Sequence, residues 1–136
     1  MSVSIYYQNK WHEIGSASFL HCFFSTISYN LEPKGWGTEY PILMNEFYSG
    51  KLIRDKLQHA IRELNEIENR FNALSQDKVI WDIENMDAKP PWGISISKDI
   101  DNLGNYFITS DGQNLFSVLR SAFKEALALN SDVSIQ

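Results

Sequence analysis

The chain has 136 residues, 43% of them hydrophobic and 21% charged, ordinary proportions for one globular domain with its own core. Nowhere do about 18 apolar residues run together, which excludes a membrane-spanning helix, and Cys22 is the only cysteine, which excludes an intrachain disulfide and a multi-cysteine zinc site. A net charge of -5, from 17 acidic and 12 basic residues, argues against gripping a nucleic-acid backbone and suits a basic protein partner.

Ser2 to Tyr7 alternates polar and apolar side chains and predicts a half-buried strand. Gln8, Asn9 and Lys10 form a turn, and Trp11 to Ile14 pairs back as a second short strand. The opening residues lack a basic segment followed by an apolar one, so no secretory signal is expected and the cytoplasm is the expected compartment. Gly15 and Ser16 punctuate the chain, with Ser16 as N-cap of a helix to about Leu31. Its apolar face carries Leu20, Phe23, Phe24, Ile27 and Leu31, and Pro33 forbids continuation. Trp36 follows in a loop between Gly35 and Gly37.

Pro41 opens a second helix, Ile42 to about Tyr48. The next helix, about 51–75, is long and amphipathic: Ile53, Leu57, Ala60, Leu64, Ile67, Phe71 and Leu74 recur at alternating spacings of four and three. Such a stripe serves either as a core face or as a coiled-coil seam. Lys78 to Ile83 is β-branched and aromatic and predicts a central strand. Pro90 and Pro91 fix an extended loop, Ile94 and Ile96 suggest a brief strand, and Asn105 to Thr109 another. Ser110, Asp111 and Gly112 form a turn, with Asp111 as a candidate cap. Leu115, Phe116, Leu119, Phe123 and Leu127 mark a terminal helix, and the chain from about 130 is expected to fray. The fold class is α+β: a small mixed or antiparallel sheet packed by three to four helices.

Catalytic signatures are missing. There is no nucleophile elbow, no zinc-protease helix and no dinucleotide fingerprint. Ser49, Gly50 and Lys51 touch the end of a phosphate-loop pattern, but Leu52 stands where Ser or Thr is required and Asn45 where the first Gly is. Cys22 next to His21 does not make a pair, because adjacent residues on a helix point about 100° apart. His12, His21 and His59 have no metal-ligand spacing, so neither metal nor cofactor is expected. The informative stretch is the middle of the chain. Asp82, Glu84, Asp87, Asp99 and Asp101 share a short interval with Trp92, and Trp36 stands in its own Gly-flanked loop. Tryptophans anchor interfaces and carboxylates steer association, so these seven residues are the candidate partner-binding set. The same residues also read as a solvated acidic surface with tryptophans packed on their own core.

Three blocks in order resemble a known family. The first is Gly15 to Phe19, Phe24 to Ile27, Leu31 to Gly37, then Tyr40, Pro41, Leu43 and Met44. The second is Trp81 to Glu84 with Pro90 to Gly93, and the third Asn105 to Gly112 with Leu115 and Phe116. Over about residues 15–120 the chain is similar to the bacterial immunity protein 70 family of polymorphic toxin systems. The resemblance implies a single immunity-protein-like domain over 1–136. It implies a non-catalytic antitoxin that binds the C-terminal domain of a cognate secreted toxin and occludes its active site or functional surface. Charge and composition leave no nucleic-acid, membrane or cofactor partner expected, with a monomer favoured. Two alternatives stay open: an oligomer-forming interaction module built on the long helix, and a small hydrolase using Cys22 or the mid-chain carboxylates.

Overall fold

The computed structural model describes residues 2–93 and 100–136. Strand β1 (Ser2–Tyr7) turns at Gln8, whose φ of 55° lies in the left-handed region, and pairs antiparallel with β2 (Lys10–Ser16), Tyr7 opposite Lys10. Helix α1 (Ala17–Leu31) follows without a break. The Ser16 hydroxyl caps it, accepting the Phe19 N–H at 3.0 Å. The helix expected after Pro41 is a π-helical segment, Ile42–Phe47, closed by the Tyr48 N–H on the Leu43 carbonyl.

Strand β3 (Lys51–Leu52) and one 3₁₀ turn (Arg54–Lys56) lead into α2 (Leu57–Phe71). The long helical stretch is therefore tighter at both ends than the apolar spacing implied. Ile53 stands before it and is exposed, while Leu57, Ala60, Leu64, Ile67 and Phe71 are fully buried. That stripe is covered by this chain's own core, chiefly α3 (Leu115–Ala128). The core centres on Phe23, whose ring meets the edges or faces of Phe24, Phe71, Phe107 and Phe116 at centroid distances of 5.2–6.2 Å.

The sheet is four-stranded and antiparallel, in the order β2-β1-β4-β3, with helices packed against it: an α+β fold. Its composition departs from expectation in four places, the first being β3, which takes Lys51 and Leu52 from the expected start of the long helix. The end of the chain is not frayed. Val133–Ile135 forms β4, an inner strand that pairs with both β1 and β3, with Val133 buried.

Lys78 to Ile83 is no strand, central or otherwise; it leaves a 3₁₀ turn at Gln76–Lys78 and crosses α1 as irregular chain. Its backbone groups find side-chain partners on the helix instead of a ladder: Ile80 N–H donates to Thr26 Oγ1 (3.0 Å), Ile83 N–H to Ser25 Oγ (3.1 Å), and Asn30 Nδ2 donates to the Lys78 carbonyl (2.9 Å). Asn105 to Thr109 contributes one bridge, Ile108 to Asn114, after a 3₁₀ turn at Leu103–Asn105. Asp111 is not the cap of α3. Asn114 is, its side chain accepting the Ser117 N–H, while Asp111 accepts from Thr109 and Gln113. The brief strand expected at Ile94 and Ile96 lies outside the described residues.

Candidate partner-binding face

Helix α1 has two working faces. One holds the phenylalanines of the core. The other presents Ser25 and Thr26 to the 78–83 segment and, one turn earlier, His21 to the surface. The His21 ring is a junction: Nδ1 lies 2.8 Å from the Tyr48 hydroxyl and Nε2 lies 3.1 Å from Asp82 Oδ1. Tyr48, at the end of the π-helical segment, also places its ring edge-on to Trp36, centroids 5.0 Å apart. The Trp36 indole is fixed in turn, its Nε1–H donating to the Met44 carbonyl at 2.9 Å. Trp36 is therefore half-buried and packed on Phe24 and Tyr48, yet keeps one side open.

The loop that carries Trp36 is held from beneath. Glu32 is buried at the end of α1, and its carboxylate accepts the N–H groups of Gly37 (3.0 Å), Glu39 (3.1 Å) and Tyr40 (3.0 Å). Gly37 is required there. Its φ of 79° disfavours other residues, and a Cβ would collide with the Asn45 side chain.

These elements enclose a cleft of about 630 Å³, lined by His21, Tyr29, Trp36, Tyr48, Ile83 and Glu84 among others. A second hollow of about 290 Å³ lies across the His21–Tyr48 pair and is lined by Trp81 and Asp82. Asp82 accepts the Glu84 N–H at 2.9 Å, and that bond with the His21 contact holds its carboxyl below the usual carboxylate range. Burial pushes the Tyr48 phenol above its ordinary value, and the Glu84 and Asp82 carboxylates add to the effect. Donor atoms of His21, Asp82 and Glu84 lie within 4.8 Å of one another, close enough to share a divalent cation. The 3.1 Å contact from His21 to Asp82 is equally a hydrogen bond that needs no ion.

The structure thus brings together Trp36, Asp82 and Glu84, three of the seven residues singled out from sequence. Trp92 joins them at one remove. Its ring meets Trp81 edge-on at 5.5 Å, and its Nε1–H donates to the Tyr106 hydroxyl at 2.6 Å. It is 39% exposed, so one edge packs inward and the other meets solvent. Asp87 sits in an exposed turn, and Asp101 is exposed ahead of the Leu103–Asn105 turn; among the described residues neither carboxylate makes a hydrogen bond or ion pair into the cleft. Asp99 lies outside the described residues.

Sequence reasoning missed His21, Tyr29 and Tyr48. For His21 the available signal was the second periodicity of α1, where polar residues recur at 18, 21, 25 and 28; Tyr29 and Tyr48 carried none. Cys22 faces the other way. It is fully buried, and burial pushes its thiol up to about 12, so it offers neither access nor a thiolate for nucleophilic chemistry.

The profile of the family described as Immunity protein 70 matches residues 5–135, which takes in every strand and helix described above except the first three residues of β1. The chain belongs to the immunity protein 70 family. No curated protein and no solved structure shows a significant match to it. In this immunity protein the cleft and its acidic rim fall inside the matched region, and no helix among the described residues is long and apolar enough to cross a membrane.

Proposed function

We propose that this immunity protein is the antitoxin of a toxin–immunity pair, acting in the cytoplasm by binding and without catalysis. Its partner is the C-terminal domain of a cognate toxin, and the complex blocks that domain's active site or functional surface. The observation that carries this reading is the continuous aromatic and acidic face from Trp36 through Tyr48, His21 and Asp82 to Trp81 and Trp92. Neutralisation requires a nanomolar or tighter complex, about 12 kcal/mol or more. Binding energy of that size concentrates in a few well-packed aromatic anchors. Trp36 and Trp92 suit the role because hydrogen bonds from both indoles set their orientation before any partner arrives. Asp82, Glu84, Asp87, Asp99 and Asp101 supply negative charge that speeds encounter with a basic surface and disfavours acidic partners.

The decisive experiment is purification of the toxin domain encoded beside this chain, followed by binding measurements. A stable complex is expected. Trp92→Ala weakens it by more than about 2 kcal/mol. Charge reversal of Glu84 and Asp87 slows association and flattens its salt dependence. Absence of any complex with the wild-type chain refutes the reading. Wild-type binding by both folded variants moves the interface elsewhere.

A further inference from the structure

We infer that the cleft between α1, the Trp36 loop and the 83–84 segment receives a single arginine side chain of the toxin domain. This rests on the toxin-binding reading and gives that site a specific occupant.

The lining selects the charge. It contains Glu32 and Glu84 and, of basic side chains, His21 alone, so an anionic group would enter against the free Glu84 carboxylate. Glu32 is already committed to three backbone N–H groups inside the loop. Glu84 is not. It is exposed at the rim, its carboxylate takes no hydrogen bond from the described residues, and its backbone N–H anchors it to Asp82.

The walls select the shape. His21 and Trp36 stand nearly parallel, 22° apart with centroids at 6.2 Å, and Tyr48 closes one side with its ring 5.0 Å from Trp36. Tyr29, 56% exposed on α1, forms the outer edge. A planar, weakly hydrated cation lies flat against such rings and still presents its N–H fork to a carboxylate. An ammonium is a point charge with a tighter water shell, so lysine satisfies the rim and wastes the walls. Both principal walls are locked, Trp36 through the Met44 carbonyl and Tyr48 through His21 Nδ1, so little ordering remains to be done on binding.

Two measurements test it. In the first, N-acetyl-arginine methylamide and its lysine counterpart are titrated into the protein and followed by NMR. The arginine amide is expected to shift the Trp36 indole N–H and the Tyr48 ring signals saturably, and the lysine amide to shift them less at equal concentration. Glu84→Gln, a variant that breaks no hydrogen bond of the carboxylate, is expected to weaken the response. An arginine amide that leaves the Trp36 and Tyr48 signals unmoved overturns the inference.

In the second, Glu84→Gln is measured against the purified toxin domain, expected loss roughly 30-fold or more. One arginine-to-alanine change in the toxin is expected to give a similar loss that does not add to that of Glu84→Gln. A toxin that binds tightly with no arginine coupled to Glu84 overturns the cleft's occupant while leaving the toxin reading intact. If the wild-type chain forms no complex, the toxin reading falls, and the amide titration alone decides what the cleft accepts.

Discussion

Glu32 at the end of α1 and Glu63 in the middle of α2 are both buried, and together they accept five backbone N–H groups of the chain from Gly37 to Leu43. Among the described residues no lysine or arginine pairs with either. Two carboxylates therefore do for this irregular stretch what a strand partner does for a strand. They satisfy its donors and fix the loop on which Trp36 stands. Removing either leaves buried N–H groups without acceptors, at about 1–3 kcal/mol for each group.

Glu63 gives this arrangement a pH signature. Burial raises its carboxyl above the ordinary 4.5, only partly offset by the N–H groups of Leu43 and Ile42 and by His59, whose Nε2 lies 3.6 Å away. Between 4.5 and that raised value the folded chain holds the proton that the unfolded chain has released. The Glu63 contribution to stability therefore falls as pH rises through that window and is greatest below it. Glu63→Gln does not titrate. Urea unfolding from about pH 4 to about pH 7 is expected to move the stability difference in favour of the variant as pH rises. Parallel curves would show that Glu63 titrates alike in both states.

Cys22 is expected to be silent towards thiol reagents in the native protein at about pH 8, since a buried thiol titrating near 12 holds almost no thiolate there. Labelling should follow global unfolding, with the same rate constant read by fluorescence and by a chromogenic disulfide. Fast labelling of folded protein would mean that α1 opens locally and would revive Cys22 as a reactive group.

Leu64 sits at the centre of the α2 stripe, fully buried beneath α3. Leu64→Asp exchanges packed methyl groups for a carboxylate with no partner, and is expected to lose about 3–5 kcal/mol or more. Circular dichroism and size exclusion would show an unfolded or aggregated chain. A well-folded monomeric variant beside a dimeric wild type would identify the stripe as a subunit seam instead.

Deletion of residues 131–136 removes β4 and leaves β3 with no strand beside it. It also removes Val133 from the core and the Ser4–Gln136 backbone pair. The expected loss is about 3 kcal/mol or more, a fall in Tm of about 10 °C. A truncated chain melting with the full one would restore the frayed end expected from about residue 130.

The parts of this molecule that periodicity dictates were legible in its sequence. Ser16 followed by an apolar stripe marks α1 to the residue at which it starts, and the Ile53–Leu74 spacing marks α2, though it overruns the helix at both ends. The misreadings share a cause. Val79 to Trp81 has strand composition, but Ser25, Thr26 and Asn30 on α1 outcompete a neighbouring strand for its backbone groups, a choice made by a residue some fifty positions away. Val133 to Ile135 is too short to announce itself, and only the free edges of β1 and β3 make it a strand. The site shows the same division. Trp36, Asp82 and Glu84 are conspicuous by residue type. His21 and Tyr48, which join them, are ordinary residues until folding brings them together.

The order β2-β1-β4-β3 sets a schedule as well as a shape. During synthesis β1 can form its hairpin with β2 at once, yet its other edge, and β3 entirely, wait for residues made after all three α-helices. Until β4 is added, the chain can hold its helices while its sheet stays split in two. Closure of the sheet therefore follows the helices in chain order, and the interval before it is when the chain is most open to proteolysis.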